Sequence, residues 1–112
     1  MAALMTAEDD SLAAKFVADV AHMSLHSADP GTTGASETTA ARVVPSLSHT
    51  NGVVSLASAA AFTGGAANGA VTWVGFWNAG NVFIGKLQIT TGDTTFNSAG
   101  AYTVDNISLT IA

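Results

Sequence analysis

The sequence predicts a mainly β fold, an antiparallel and jelly-roll-like β-sandwich with one N-terminal α-helix. Apolar residues have helical spacing only near the N-terminus, short apolar runs follow at close intervals, and turns rich in Gly and Asn separate those runs. The chain has 112 residues, a common size for one domain. We therefore expect a single domain over residues 1–112.

The helical pattern covers residues 6–23. Apolar residues recur there at spacings of four, four and three, which places them on one face of a helix. These residues are Leu12, Phe16, Val20 and Met23. The run Ala-Asp-Pro-Gly at residues 28–31 predicts a turn, so the helix ends before it. We expect the helix to pack on an edge of the sandwich or to project to a neighbouring subunit.

The strongest strand signals are residues 71–77 and 82–89, which a predicted hairpin turn at residues 78–81 connects. The first of these strands is apolar on both faces, so we expect it to be central or covered by a partner. Weaker strands are predicted at residues 42–45 and 53–62, with an Asn-Gly turn signal before the second.

Composition argues against several classes of function. Hydrophobic residues make up 48% of the chain and charged residues only 10%, which indicates that partners cover part of the surface. The net charge is −5, and the cations are Lys15, Arg42 and Lys86, so we expect no nucleic-acid binding. No apolar run approaches the ~18 residues of a membrane span. The chain has no cysteine, so disulfides and thiolate chemistry are not expected.

The sequence predicts no catalytic residue, cofactor or metal site. His22 and His26 are four residues apart, but no third ligand is close in sequence and the glutamate of a zinc-protease motif is missing. No serine lies in a Gly-x-Ser-x-Gly elbow, and the glycine-rich residues 64–69 lack the lysine of a P-loop. An enzymatic hypothesis needs a site built from His26, Asp29 and His49, and it ranks below two non-enzymatic hypotheses.

Three aromatic residues lie in the most apolar predicted strand, and they are Trp73, Phe76 and Trp77. Because that strand is apolar on both faces, we favour packing in the core or between subunits. The alternative is a sugar-binding platform, in which aromatic rings stack on a pyranose while Asn78 and Asn81 supply hydrogen bonds.

Residues 24–37 read Ser-Leu-His-Ser-Ala-Asp-Pro-Gly-Thr-Thr-Gly-Ala-Ser-Glu. This segment resembles an SLHTADPGTTGANE-type signature of small virion proteins of tailed bacteriophages, especially those that infect actinobacteria. An alanine-rich helix precedes it, Ala-Arg-Val follows at 41–43, Val-Gly-Phe-Trp-Asn stands at 74–78 and Gly-Ala-Tyr-Thr at 100–103. The chain departs from the family pattern at residues 44–49, where the family has a tryptophan-containing strand.

The resemblance implies a virion component without catalytic residues, assembled in the host cytoplasm. We expect a capsid decoration or minor capsid accessory protein that contacts the major capsid protein or tail proteins and forms a homo-oligomer, with a trimer favoured. The predicted contact residues are Leu12, Phe16, Val20, Trp73, Phe76 and Trp77. Arg42 is a candidate ion-pair partner of Glu37 or Asp29. The alternative is a tail-fibre-like module that binds a host surface glycan through Trp77, Asn78 and Asn81.

Overall fold

The computed structural model describes residues 6–90 and 92–110. The elements are α1 (Thr6–Asp19), β1 (Val20–His26), β2 (Leu47–Thr50), β3 (Val53–Leu56), β4 (Ala60–Phe62), β5 (Trp73–Asn78), β6 (Phe83–Gln88), β7 (Tyr102–Val104) and β8 (Leu109–Thr110). Sheet 1 has the order β1-β5-β6, sheet 2 the order β2-β3-β8, and sheet 3 pairs β4 with β7. All of these pairs are antiparallel. The predicted class, mainly β with antiparallel sheets and one N-terminal helix, is confirmed.

One apolar core joins the three sheets. Its large buried members include Met23, Leu25, Leu56, Phe62, Val74, Phe76, Phe96 and Tyr102. Sheet 1 contributes side chains from β1 and β5, sheet 2 from β3, and sheet 3 from β4 and β7. Each sheet therefore turns one face to a shared interior, as the layers of a sandwich do.

The predicted helix over residues 6–23 is too long, because α1 ends at Asp19 and the chain continues as β1. Met23 and Leu25 are fully buried in the core, and β1 pairs with β5 along its length. Pairing with β5 satisfies the backbone hydrogen bonds of β1, and the alternation of its side chains places Met23 and Leu25 in the core. This tertiary pairing outweighs the helical spacing. Val20 therefore belongs to the strand rather than to a helical stripe.

The predicted central strand and its hairpin are confirmed. β5 is the middle strand of sheet 1, and the turn at residues 78–81 leads into β6. The Asn78 side chain accepts the backbone N–H groups of Gly80 and Val82, at 2.9 and 3.0 Å. Asn81 adopts a positive φ of 64°, a conformation that asparagine tolerates better than most residues. The asparagines thus serve the turn itself.

Residues 42–45 do not form the predicted strand. Val43 makes a single antiparallel bridge to Met23 on the outer edge of β1. Pro45 has no N–H group with which to lengthen that pairing. The segment therefore lies beside β1 without becoming a strand.

The predicted turn at Asn51 and Gly52 is confirmed, with φ values of 51° and 80°. Positive φ at both positions suits the tight turn that joins β2 to β3. The sequence did not predict β2, because only one of its four residues is apolar and its pairing partner creates the strand. The predicted strand over residues 53–62 is divided into β3 and β4.

Two contacts fix α1 to the sheets. The Phe16 ring meets the Phe76 ring edge to face, with centroids 5.4 Å apart. Asp10 accepts hydrogen bonds from His49 Nδ1 at 2.9 Å and from the Gly52 N–H at 3.3 Å. The described helix has 14 residues, and it is not long and apolar enough to cross a membrane.

Candidate functional site

The outer face of sheet 1 carries the most site-like group of polar side chains. Ser24 and His26 alternate with the core residues of β1 and point away from the core, yet both are fully buried. Residues 27–37, which we call the covering loop, close over them. Ser24, His26 and this loop all lie within residues 24–37, so this one segment of the sequence builds most of the candidate site.

Three side chains under the covering loop form a directional chain of hydrogen bonds. Trp77 Nε1–H donates to Ser24 Oγ at 2.8 Å. The Ala35 carbonyl beside His26 Nδ1 can only accept, so in the neutral ring Nε2 is the acceptor and the Ser24 hydroxyl donates to it at 2.7 Å. His26 Nδ1 then carries the proton that is donated to the Ala35 carbonyl oxygen at 2.8 Å. A neutral imidazole protonated on Nδ1 satisfies every polar atom of the three side chains.

Burial keeps His26 neutral. Loss of hydration lowers the pKa of His26 below its ordinary value, and the positive charge of Arg42 acts in the same direction. The hydrogen bond to Ala35 and the charge of Glu37 oppose this lowering without cancelling it. At neutral pH the imidazole is therefore an uncharged hydrogen-bonding group.

Polar contacts also shape the covering loop. Asp29 Oδ1 accepts a hydrogen bond from the Gly31 N–H at 2.9 Å, which stabilises the turn predicted at residues 28–31. The same oxygen accepts a hydrogen bond from Lys86 Nζ at 2.7 Å. The Pro30 carbonyl accepts the N–H of Gly34 at 3.1 Å. The loop is thus turned on itself and connected to β6.

Gly34 brings the covering loop into direct contact with Trp77. Its φ is +78°, and a Cβ atom at this position would lie 2.4 Å from the Trp77 ring. Gly31 also has a positive φ, of +63°, but nothing lies within 4 Å of its Cβ position. On β5, Gly75 leaves room for His26, because a Cβ there would lie 2.5 Å from Nε2. Gly34 is therefore needed for both conformation and space.

Arg42 closes the cluster from the side. Its Nε and Nη2 donate to the two carboxylate oxygens of Glu37, each at 2.9 Å, and Nη1 donates to Asn81 Oδ1 at 2.9 Å. The guanidinium carbon lies 3.8 Å from the Trp77 ring centroid. The hydrogen bonds to Glu37 raise the pKa of Arg42. Of its two predicted carboxylate partners, Glu37 is the one that Arg42 binds.

The predicted contact residues fall into two groups. Phe76 is fully buried and Trp77 is 8% exposed, so both pack within the subunit, because the core covers one face of β5 and the covering loop the other. This burial agrees with the core-packing interpretation of the two aromatic residues, and their contact with a partner stays a prediction. The members that keep some exposure are Leu12, Phe16, Val20 and Trp73.

The three residues of the predicted glycan site are already used within the subunit. Arg42 covers the Trp77 ring, and the Phe83 ring meets it at 5.1 Å between centroids. The side-chain oxygen of Asn78 accepts from its own turn, and that of Asn81 accepts from Arg42. At these three positions the indole face is covered and the amide oxygens already accept hydrogen bonds.

The residues of the enzymatic hypothesis have separate partners. His26 binds Ser24, Asp29 binds Lys86, and His49 binds Asp10. In the described part of the chain no cluster of three or more His, Asp or Glu side chains is arranged to hold a metal ion.

Ser24 and His26 have the hydrogen bond of a nucleophile and its base. The Ser24 hydroxyl, however, is fully buried and also accepts the Trp77 N–H, so no substrate carbonyl has room to approach Oγ. A cleft of about 550 Å³ lies elsewhere, between β6 and residues 102–108. The Ser-His pair is therefore closed to a substrate in this structure.

Sequence analysis missed Ser24, Gly34 and Gly75 as parts of one cluster. The available signal was the Ser-x-His alternation, which places both side chains on one face of a strand, next to a glycine-containing loop. Assigning residues 20–23 to the helix concealed that alternation.

Comparisons of the chain with protein-family models, with curated proteins and with solved structures found no match. The functional interpretation therefore depends on the residues themselves.

Proposed function

We propose that this protein is a non-enzymatic structural subunit of a tailed-bacteriophage particle, and specifically a capsid decoration or minor capsid accessory protein. The observation that carries the proposal is the use of the phage-like segment. Its Ser, His, Asp and Glu side chains bind other groups of the same chain and fix the covering loop on sheet 1. A motif used in this way serves the shape of a subunit rather than a reaction.

The surface offers features suited to contact with other virion proteins. β6 is an edge strand of sheet 1, and five of its six residues are only half buried. Strand edges bind partner strands through backbone hydrogen bonds. Three large apolar side chains, Leu12, Val44 and Val82, are 39%, 76% and 55% exposed. The low content of charged residues supports the same interpretation.

The competing hypothesis, a tail-fibre-like module that binds a glycan, has less support. Trp77 lies under Arg42 and the covering loop, so the remaining candidate platform is the partly exposed Trp73. Lys86 Nζ lies 5.3 Å from the centroid of the Trp73 ring, which occupies part of that face as well. Decoration of the capsid is therefore favoured.

Cryo-electron microscopy of the phage particle whose genome encodes the chain tests the proposal. Mass spectrometry of purified particles is the companion measurement. We expect the protein among the particle components and its density repeated over the capsid lattice. Density confined to the tail tip would contradict decoration and favour the glycan hypothesis. Absence of the protein from purified particles would overturn the structural role altogether.

A further inference from the structure

A neutral and fully buried histidine lies beneath the covering loop on the outer face of sheet 1. We propose that the covering loop is an acid-sensitive cover. In mildly acidic solution, proton uptake by His26 lifts residues 27–37 while the three sheets stay folded, and it uncovers Trp77 and Phe83.

The direction of the hydrogen bonds explains why a proton is not tolerated. The added proton binds to His26 Nε2, which then becomes a donor to Ser24 Oγ. Nε2 and the Trp77 N–H then both donate to this oxygen. The Ser24 hydroxyl proton no longer has Nε2 as its acceptor. The cluster then holds a buried charge and an unpaired donor, and each of these is unfavourable without water.

The charged groups around His26 offset that charge only in part. Glu37 lies beside it but is paired on both oxygens with Arg42, whose own charge repels an imidazolium. On the β6 side of the same face, Lys86 is paired with Asp29. The β5 residues on this face that lie beside His26 are Trp73 and Gly75, and neither carries a charge. No unpaired carboxylate among these neighbours is available to receive the proton's charge.

The loop is the part that can yield. Beneath His26, β1 is paired with β5, and β5 is paired in turn with β6, so the strands are held by continuous ladders. The loop is held to the sheet by the Ala35 carbonyl, by Gly34 against Trp77, by a single backbone bridge between Glu37 and His26, and by two ion pairs. These contacts are fewer than those of a continuous strand ladder, so the loop opens at a lower cost than the sheet.

The burial of His26 in the closed form sets the direction in which pH shifts the equilibrium between the closed and the open loop. A histidine that is more basic in the open form than in the closed form makes opening more favourable as the pH falls below the ordinary value of about 6.5. Down to the lowered pKa of closed His26, the ratio of open to closed molecules rises by up to about tenfold for each pH unit.

Hydrogen exchange of the full chain between pH 7.5 and 5, corrected for intrinsic exchange rates, tests this cover. The Thr38 N–H, which binds the Leu25 carbonyl, and the Ser27 N–H, which binds the Ser36 carbonyl, report on the loop. We expect their protection to fall by up to about tenfold per pH unit while the amides of β5 keep theirs. Unchanged protection of the loop, or loss of protection at the same pH in loop and sheet, would overturn the proposal.

The chain has three histidines, which supply matched controls. H26Q should abolish the pH response of loop exchange, whereas H22Q and H49Q should keep it. An NMR titration of the wild-type ring gives a second test that does not require H26Q to fold. We expect His26 to titrate below 6.5 and to carry its proton on Nδ1 at pH 7.5; titration at or above 6.5 would contradict the proposal.

Discussion

The two faces of sheet 1 are stabilised in different ways. On the inner face, Met23 and Leu25 of β1 pack with Val74 and Phe76 of β5 into the apolar core. On the outer face, polar side chains and a loop of small residues exclude water through directed hydrogen bonds. The inner face requires apolar side chains of the right size at alternate positions. The outer face requires hydrogen-bond donors and acceptors at defined positions and orientations. Residues 24–37 contribute most of the polar contacts of the outer face.

The largest expected effect compares a phenylalanine from each face. Phe76→Ala removes a fully buried ring and should lower the free energy of unfolding by about 3–5 kcal/mol. Phe83→Ala removes a half-buried ring and should cost about 1–2 kcal/mol. Urea unfolding of both variants measures the difference. Equal losses would show that the outer face carries as much apolar packing as the core.

Two glycines of the covering loop sharpen the comparison. Gly34→Ala meets both a positive φ and the Trp77 ring, so we expect a loss of about 3 kcal/mol. Gly31→Ala meets the positive φ alone and should cost about 1 kcal/mol. Thermal unfolding followed by circular dichroism separates the two. If Gly31→Ala were as damaging as Gly34→Ala, close contact with Trp77 would not be the reason for the glycine.

Arg42→Lys tests whether the side of the cluster needs a guanidinium. A lysine cannot donate to both Glu37 oxygens and to Asn81 together, nor lie flat on Trp77, so we expect a loss of about 1 kcal/mol. The control is Lys15→Ala, which breaks the exposed pair with Asp19 and should cost under about 0.5 kcal/mol. If Arg42→Lys were as stable as the wild type, the side of the cluster would not need a guanidinium group.

The smallest expected effect concerns α1, far from the cluster. Hydrogen bonds from His49 and Gly52 lower the pKa of Asp10 below its ordinary value of 3.8. At pH values above 3.8, ionised Asp10 therefore stabilises the folded state. That gain is lost as the pH falls through the lowered pKa. The stability difference between wild type and Asp10→Asn should therefore be constant above about pH 5 and shrink below 3.8. A difference that grows on acidification would contradict this role of Asp10.

The parts of the fold that the sequence predicted are those fixed by local pattern. The central strand, its hairpin and the turn at Asn51 and Gly52 follow from short-range apolar runs and turn residues. The Arg42 and Glu37 pair follows from the scarcity of cations and from closeness along the chain. These features need no knowledge of distant partners.

The rest depends on partners far away in sequence. Ser24 and Trp77 are 53 residues apart, and His26 receives its other contact from a backbone carbonyl, which no side-chain pattern reveals. Residues 20–23 fit a helical spacing while residues 23–26 alternate, and pairing with β5 extends the strand over both. The outer-face site was therefore hidden by an ambiguity of period and by contacts made through the backbone.

Ser24, His26 and Trp77 act as one hydrogen-bonded unit that fixes the covering loop on sheet 1. A double-mutant cycle with Ser24→Ala and Trp77→Phe measures it most directly, because the cycle cancels the loss of indole packing. We predict a coupling free energy of about 1–3 kcal/mol between the two positions. Additive losses, with coupling below about 0.3 kcal/mol, would contradict the account.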